Sequence, residues 1–184
     1  MRYIFIFLLS LIFSLSSIAR EHSPFAEAFG GRLEIKNLRI SPDGSKLLML
    51  SLHEGNYILV TKSLIESNAA PYGIPVTGGE YIWADWATNE RIVAGVTNDE
   101  YTNSRVNREL YSHMVSLDWT GENYINLSTK SGRNSWIDLD QASVYNWLPE
   151  DPNHILFNMI GDIFKVNILT NEFKLIYEGN LKQG

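Results

Sequence analysis

The sequence contains no cysteine, so it has no disulfide, no thiolate nucleophile and no cysteine-ligated metal. Positive charge is scarce too: 15 Lys and Arg stand against 21 Asp and Glu, a net charge of −6. The cations form no cluster, which argues against nucleic acid or an anionic membrane surface as partner, because both need concentrated positive charge. Gly-x-Ser-x-Gly is also missing, so nothing matches the sharp strand-to-helix turn that exposes a hydrolase serine. The histidines His22, His53, His113 and His154 are scattered, none at the three-to-five-residue spacing of paired zinc ligands. Asp138 and Asp140 in "WIDLD" share a strand face, but they lack the glycine-containing loop and closing glutamate of a calcium site. They read as solvated carboxylates. The sequence therefore assigns no catalytic, cofactor-binding or metal residue and implies no cofactor.

Only one long apolar run is present, Tyr3 to Ile18, behind the single cation Arg2. It holds 16 residues, including Ser10, Ser14, Ser16 and Ser17, fewer than the roughly 20 that span a bilayer. Small residues at Ser17 and Ala19 fit signal-peptidase cleavage after Ala19. The expectation is a signal peptide over residues 1–19 and an exported product, periplasmic or extracellular, with no stable membrane anchor after cleavage. Removing Arg2 leaves 14 cations and 21 anions, so the mature charge is 14 − 21 = −7. Lacking disulfides, such a product must rely on core burial.

Residues 20–31 form a lead-in. "HSPFAEAFGG" predicts one short helix, with Ser23 as N-cap, Pro24 at its first position and Gly30-Gly31 as its stop. From residue 32 to 184 the chain alternates short runs rich in Ile, Val, Leu, Tyr and Phe with Gly, Asn and Asp turns. That pattern predicts antiparallel hairpins and an all-β class.

One unit recurs. "LRISPDGSKLLMLS" joins an apolar strand end to a Ser41-Pro42-Asp43-Gly44 turn and a second strand; "IWADWATNERIVAGV" and "VYNWLPEDPNHILFNM" repeat the order. Ile40, Trp86 and Trp147 occupy the matched position before each turn, 46 and 61 residues apart. Each unit continues into a second hairpin: "NYILVTKSL", "ELYSHMVSLDWTGENYINLS" and "DIFKVNILTNEFKLIYEG". Four strands per 40 to 50 residues, roughly, is the period of a β-propeller blade. Residues 32–184 are therefore expected to form an incomplete propeller of about three four-stranded antiparallel blades. The rival arrangement, three hairpins of a sandwich, has the same strand content. Five tryptophans, Trp83, Trp86, Trp119, Trp136 and Trp147, are expected to pack between sheets, with Trp136 the most exposed. The loop "TNDEYTNSRVNRE" reads as solvated.

The order of "PFAEAFGG", "LRISPDGSKLLML", "YIWADWATNERIVAGV", "LYSHMVSLDWTGEN" and "LPEDPNHILFNM" with "DIFKVNILTNEFKLI" resembles the N-terminal β-propeller of exported peptidases in the prolyl oligopeptidase family. The resemblance covers about residues 24 to 184. It implies a propeller that restricts substrate access to a C-terminal α/β-hydrolase domain with a Ser-Asp-His triad. None of those three residues has a counterpart in this sequence, and the Glu-Glu pair by which dipeptidyl-peptidase members hold a substrate amino terminus does not occur. By itself the chain is thus expected to be non-catalytic, a fragment whose implied partners are peptides or an α/β-hydrolase domain. The alternative is a free-standing periplasmic propeller-type binding or scaffold protein that self-associates. In either case three blades do not close a ring, and a third blade ending in "FKLIYEGNLKQG" is expected to leave an apolar sheet face uncovered, favouring self-association.

Overall fold

The structure, a computed structural model, describes residues 31–66, 68–98, 111–127, 143–159 and 161–179. The chain divides into two compact units, Met1–Arg32 and Leu33–Gly184, and the fold described below is that of the second. The expected signal peptide, the short helix at Ser23, most of the polar loop before β7, Trp136, Asp138 and Asp140 lie outside the described residues.

Among the described residues every regular element is a strand, and the strands form three four-stranded antiparallel sheets. Sheet 1 contains β1 (Ile35–Ile40), β2 (Lys46–His53), β3 (Asn56–Ser63) and β4 (Tyr72–Ile74). Sheet 2 contains β5 (Gly79–Trp86), β6 (Arg91–Asn98), β7 (Tyr111–Asp118) and β8 (Ile125–Asn126). Sheet 3 contains β9 (Val144–Asn146), β10 (His154–Met159), β11 (Asp162–Asn167) and β12 (Phe173–Tyr177). Within each sheet the strands lie in chain order, each hydrogen-bonded to its sequence neighbour. Three successive meanders of four strands are the blades of a partial β-propeller, whereas a sandwich would sort the same strands into two facing sheets.

Local chemistry explains the corners. In the Ser41–Ser45 turn, Asp43 Oδ1 accepts from the Ser41 hydroxyl at 2.6 Å, the Ser45 amide at 3.0 Å and the Ser45 hydroxyl at 2.8 Å. Gly44 supplies the left-handed backbone, with φ at 75°. Between β2 and β3, Glu54 and Gly55 both have positive φ, 50° and 87°, which a two-residue hairpin needs to match the strand twist. This fixes the register His53↔Asn56 through Lys46↔Ser63.

Because side chains alternate across a strand, each sheet presents two faces. Leu48, Leu50 and Leu59 of sheet 1 are fully buried against Tyr81, Ile92 and Leu117 of sheet 2, forming the first seam. The opposite face of sheet 2, with Val93 and Met114, packs on Ile155, Phe157, Val166 and Ile168 of sheet 3. Among the described residues, sheet 2 is therefore covered on both faces, and sheets 1 and 3 on one each. The tryptophans follow this plan: Trp86 and Trp119 belong to the first seam, while Trp83 and Trp147 meet edge to face in the second with centroids 6.4 Å apart.

The outer side of sheet 3 is apolar only in part: Leu175, Ile176 and Tyr177 of β12 are exposed, as expected of the last strand, but the central strands add polar groups. Pairing and alternation place His154, Lys165, Asn167 and Lys174 on it together with Leu156 and Ile163. Its second and third strands alternate polar-out and apolar-in, so the uncovered face is mixed.

Candidate functional site

The second strands of the three sheets begin at Lys46, Arg91 and His154. Each of these pairs with the last residue of the third strand: Ser63, Asp118 and Asn167. The residue just past each third strand donates its amide to the residue just before each second strand: Leu64 to Ser45 at 2.8 Å, Trp119 to Glu90 at 3.1 Å, Ile168 to Asn153 at 2.9 Å. One corner geometry thus recurs three times with a nitrogen-bearing side chain at its head.

At the first corner the Lys46 ammonium lies 2.6 Å from Glu90 of sheet 2 and 5.3 Å over the Trp119 ring. Thr61 donates its hydroxyl to the Trp119 carbonyl at 2.5 Å. Arg39 pairs with Asp85 at 3.3 Å, and Asn37 donates its amide to the Ala84 carbonyl, both across the same seam. An open groove of about 420 Å³ lies here, lined by Lys46, Glu66, Tyr72, Glu90 and Trp119 among others.

At the second corner Arg91 is only 4% exposed. Its guanidinium donates to Ser116 Oγ at 2.7 Å, Asp118 Oδ1 at 2.6 Å, the Asn123 carbonyl at 2.9 Å and, across the second seam, the Ile168 carbonyl at 3.2 Å. A buried cation persists only when paired and hydrogen-bonded in this way. Arg91 therefore ties the corner of sheet 2 to that of sheet 3.

At the third corner His154 Nδ1 lies 2.8 Å from Asp151 Oδ1, and His154 Nε2 lies 3.3 Å from Asn167 Nδ2. Asn167 Oδ1 accepts the amides of Leu169 at 2.8 Å and Thr170 at 3.1 Å, which turns its NH2 toward the imidazole. In the neutral ring, Nε2 accepts and Nδ1 carries the proton donated to Asp151. The Lys165 ammonium, 2.5 Å from Asp151, and then the His154 bond hold the Asp151 carboxyl below its usual range. A His–Asp pair of this kind resembles two members of a hydrolytic triad, but a nucleophile would need the Nε2 position that Asn167 occupies. An open groove of about 470 Å³ beside it is lined by His154, Lys165, Glu172, Phe173 and Lys174.

Of the other expected candidates, His53 ends β2 and His113 lies within β7, so the described histidines stand on three separate sheets. His22 lies outside the described residues. Among the described residues no three His, Asp or Glu side chains gather as a metal site. Burial pushes the Tyr81 phenol well above its usual range, leaving it a neutral packing group in the first seam. Sequence spacing pointed to the turns but missed the corner triplet. Its only local signal is a polar or basic residue directly after each turn.

No protein-family model matches the chain, and no curated protein does. A solved structure of acylaminoacyl peptidase in complex with Z-Gly-Gly-Phe-chloromethyl ketone matches it at a TM-score of 0.54 and 11% sequence identity, over 80% of this chain and 26% of that one. The likeness is one of fold. This chain spans about a quarter of the length of the solved structure.

Proposed function

We propose that the chain is the N-terminal propeller part of an exported prolyl-oligopeptidase-like serine peptidase and is non-catalytic by itself. In this reading its blades restrict substrate access to an α/β-hydrolase domain encoded further along the same protein. The observation that carries the reading is the uncovered face of sheet 1. Ile40 is 61% exposed, whereas Trp86, at the matched position of sheet 2, is 7% exposed. Such a face suits a ring with more blades than these three. The sequence resemblance and the fold shared with part of acylaminoacyl peptidase support the same assignment. Export after cleavage at Ala19 belongs to it, because the resemblance is to exported members.

Determining the coding sequence beyond Gly184 tests this reading. Further four-stranded repeats followed by an α/β region with Gly-x-Ser-x-Gly are expected, in the same frame or after one frameshift. A long intergenic stretch with neither would contradict it. The second reading, a free-standing scaffold or binding protein that self-associates, is favoured by one specific observation: among the described residues, sheets 1 and 3 each have one face that no other sheet covers.

A further inference from the structure

The turn that follows β11 is shaped by one side chain. Asn167 Oδ1 accepts the amides of Leu169 at 2.8 Å and Thr170 at 3.1 Å, while the Asn167 main chain bonds the Asn171 amide and the Glu172 carbonyl, each at 2.9 Å. Packing adds little at the tip. Leu169 is 46% exposed, Asn171 has a left-handed φ of 60°, and its buried Oδ1 has no partner among the described residues. The form of this turn therefore depends on how the Asn167 amide is oriented. Inside the same turn lies Ile168, whose carbonyl takes the Arg91 guanidinium of sheet 2 at 3.2 Å.

That orientation points the Asn167 NH2 at His154 Nε2, 3.3 Å away, a contact that is a hydrogen bond only while Nε2 carries no proton. His154 Nδ1 already donates to Asp151 Oδ1 at 2.8 Å, so the next proton the ring takes goes to Nε2. An Nε2–H would then face an N–H. Turning the Asn167 amide over would offer Oδ1 to the ring but aim the NH2 at the Leu169 and Thr170 amides, so either arrangement sets donor against donor. The charged groups around the ring pull in both directions. Asp151 at Nδ1 favours a charged imidazole, the Lys165 ammonium 2.5 Å from Asp151 opposes it, and Glu172 and Lys174 of opposite sign line the groove alongside.

We propose that the third corner is a latch released by acid. With His154 neutral, Nε2 holds the Asn167 amide in the orientation that closes the turn. Uptake of one proton at Nε2 breaks that bond and turns Asn167 away. The Leu169 and Thr170 amides are then freed, and the stretch that offers the Ile168 carbonyl to Arg91 slackens. The released form holds one proton more than the closed form, so acid shifts the population toward it and loosens the grip of sheet 2 on sheet 3. All the contacts involved lie within sheet 3 or between it and Arg91.

Amide hydrogen exchange of the intact chain, corrected for the intrinsic effect of pH on exchange, tests the latch. Between about pH 8 and about pH 5, where histidine changes charge, protection of Leu169 and Thr170 should fall at least about tenfold, while the Ser45 amide, bonded to Asp43, should stay within about twofold. His154→Gln does not titrate there and should abolish the fall, and His53→Gln, at the end of β2, should leave it intact. Asn167→Asp gives a second, independent readout. It keeps one oxygen for the two amides and offers the other to Nε2–H, so protection of its turn should hold or rise toward acid. Protection that does not change with pH in the unsubstituted chain overturns the proposal. So does the same fall in His154→Gln or in Asn167→Asp, or its loss in His53→Gln.

Discussion

Asp43 sits in an exposed turn, yet the Ser41 hydroxyl, then the Ser45 amide and hydroxyl, lower its pKa from 3.8 to about 2. All three bonds favour the charged carboxylate. A carboxyl with a depressed folded-state pKa contributes stability above its unfolded value and loses it as pH falls through the folded value. The melting temperature should therefore fall between about pH 4 and pH 2, and Asp43→Asn should shallow that decline in calorimetry. An unchanged acid limb would show that the turn is not formed. Asp151, shifted in the same direction by Lys165 and His154, keeps part of the limb in the variant. Arg91 operates differently, because it is buried. Arg91→Met removes the donor to Asp118 Oδ1 and to two carbonyls, although Asn123 still donates to Asp118 Oδ2; because Asp118 is partly exposed, the cost should lie at or below the low end of the roughly 3–5 kcal/mol of a broken buried pair. Urea unfolding should show that loss, with a smaller one for Arg91→Lys, which keeps the charge but not the fork. The Ser-Pro-Asp-Gly turn was legible in the sequence because the side-chain bonds of Asp43 and Ser41 that shape it are made within five residues; only the bond from the Asp43 amide to Asn89 reaches across to sheet 2. The Arg91 corner was not, since its partners lie 25 to 77 residues away and are named by no local pattern.

At the scale of strands, hydrophobic alternation identified the hairpins and the turn order placed four strands in each unit. What spacing did not convey was the irregularity of the first strands. Both β1 and β5 shift register against their partners, between Lys36 and Arg39 and between Tyr81 and Trp83. In β1 the shift includes Asn37 with φ at 56°, and it aims the Asn37 amide and Arg39 at sheet 2. In β5 the shift comes just before Trp83, which lies over Gly95 of β6. A Cβ on Gly95 would come 2.8 Å from the indole Cδ1, closer than packed carbons approach. Gly95→Ala should therefore destabilise the chain by about 1–3 kcal/mol through overpacking, measured by urea titration. A Trp83→Ala background should remove most of that penalty. If both backgrounds lose the same amount, the indole does not lie over Gly95.

For the whole molecule, the sequence indicated the class and the blade count, because turn, strand and tryptophan order repeat. The expected apolar end holds for the last strand, where Leu175, Ile176 and Tyr177 are exposed, but not for β10 and β11, where pairing turns His154, Lys165 and Asn167 outward. No motif in the sequence marks a functional site, and the corners that join the sheets are built from residues that become neighbours only when the sheets stack. Among the described residues, sheet 2 is enclosed between two other sheets, while sheets 1 and 3 each have a face that no sheet covers. Amide hydrogen exchange by strand, at a dilution where the chain is a single copy, tests it most directly. Ile92, Val93, Ala94 and Val96 of β6 are all fully buried, so β6 should exchange slowest. Central strands β2 and β10 should exchange at least about tenfold faster, equivalent to ~1.4 kcal/mol. Equal protection of β2, β6 and β10 would contradict a stack with two open ends.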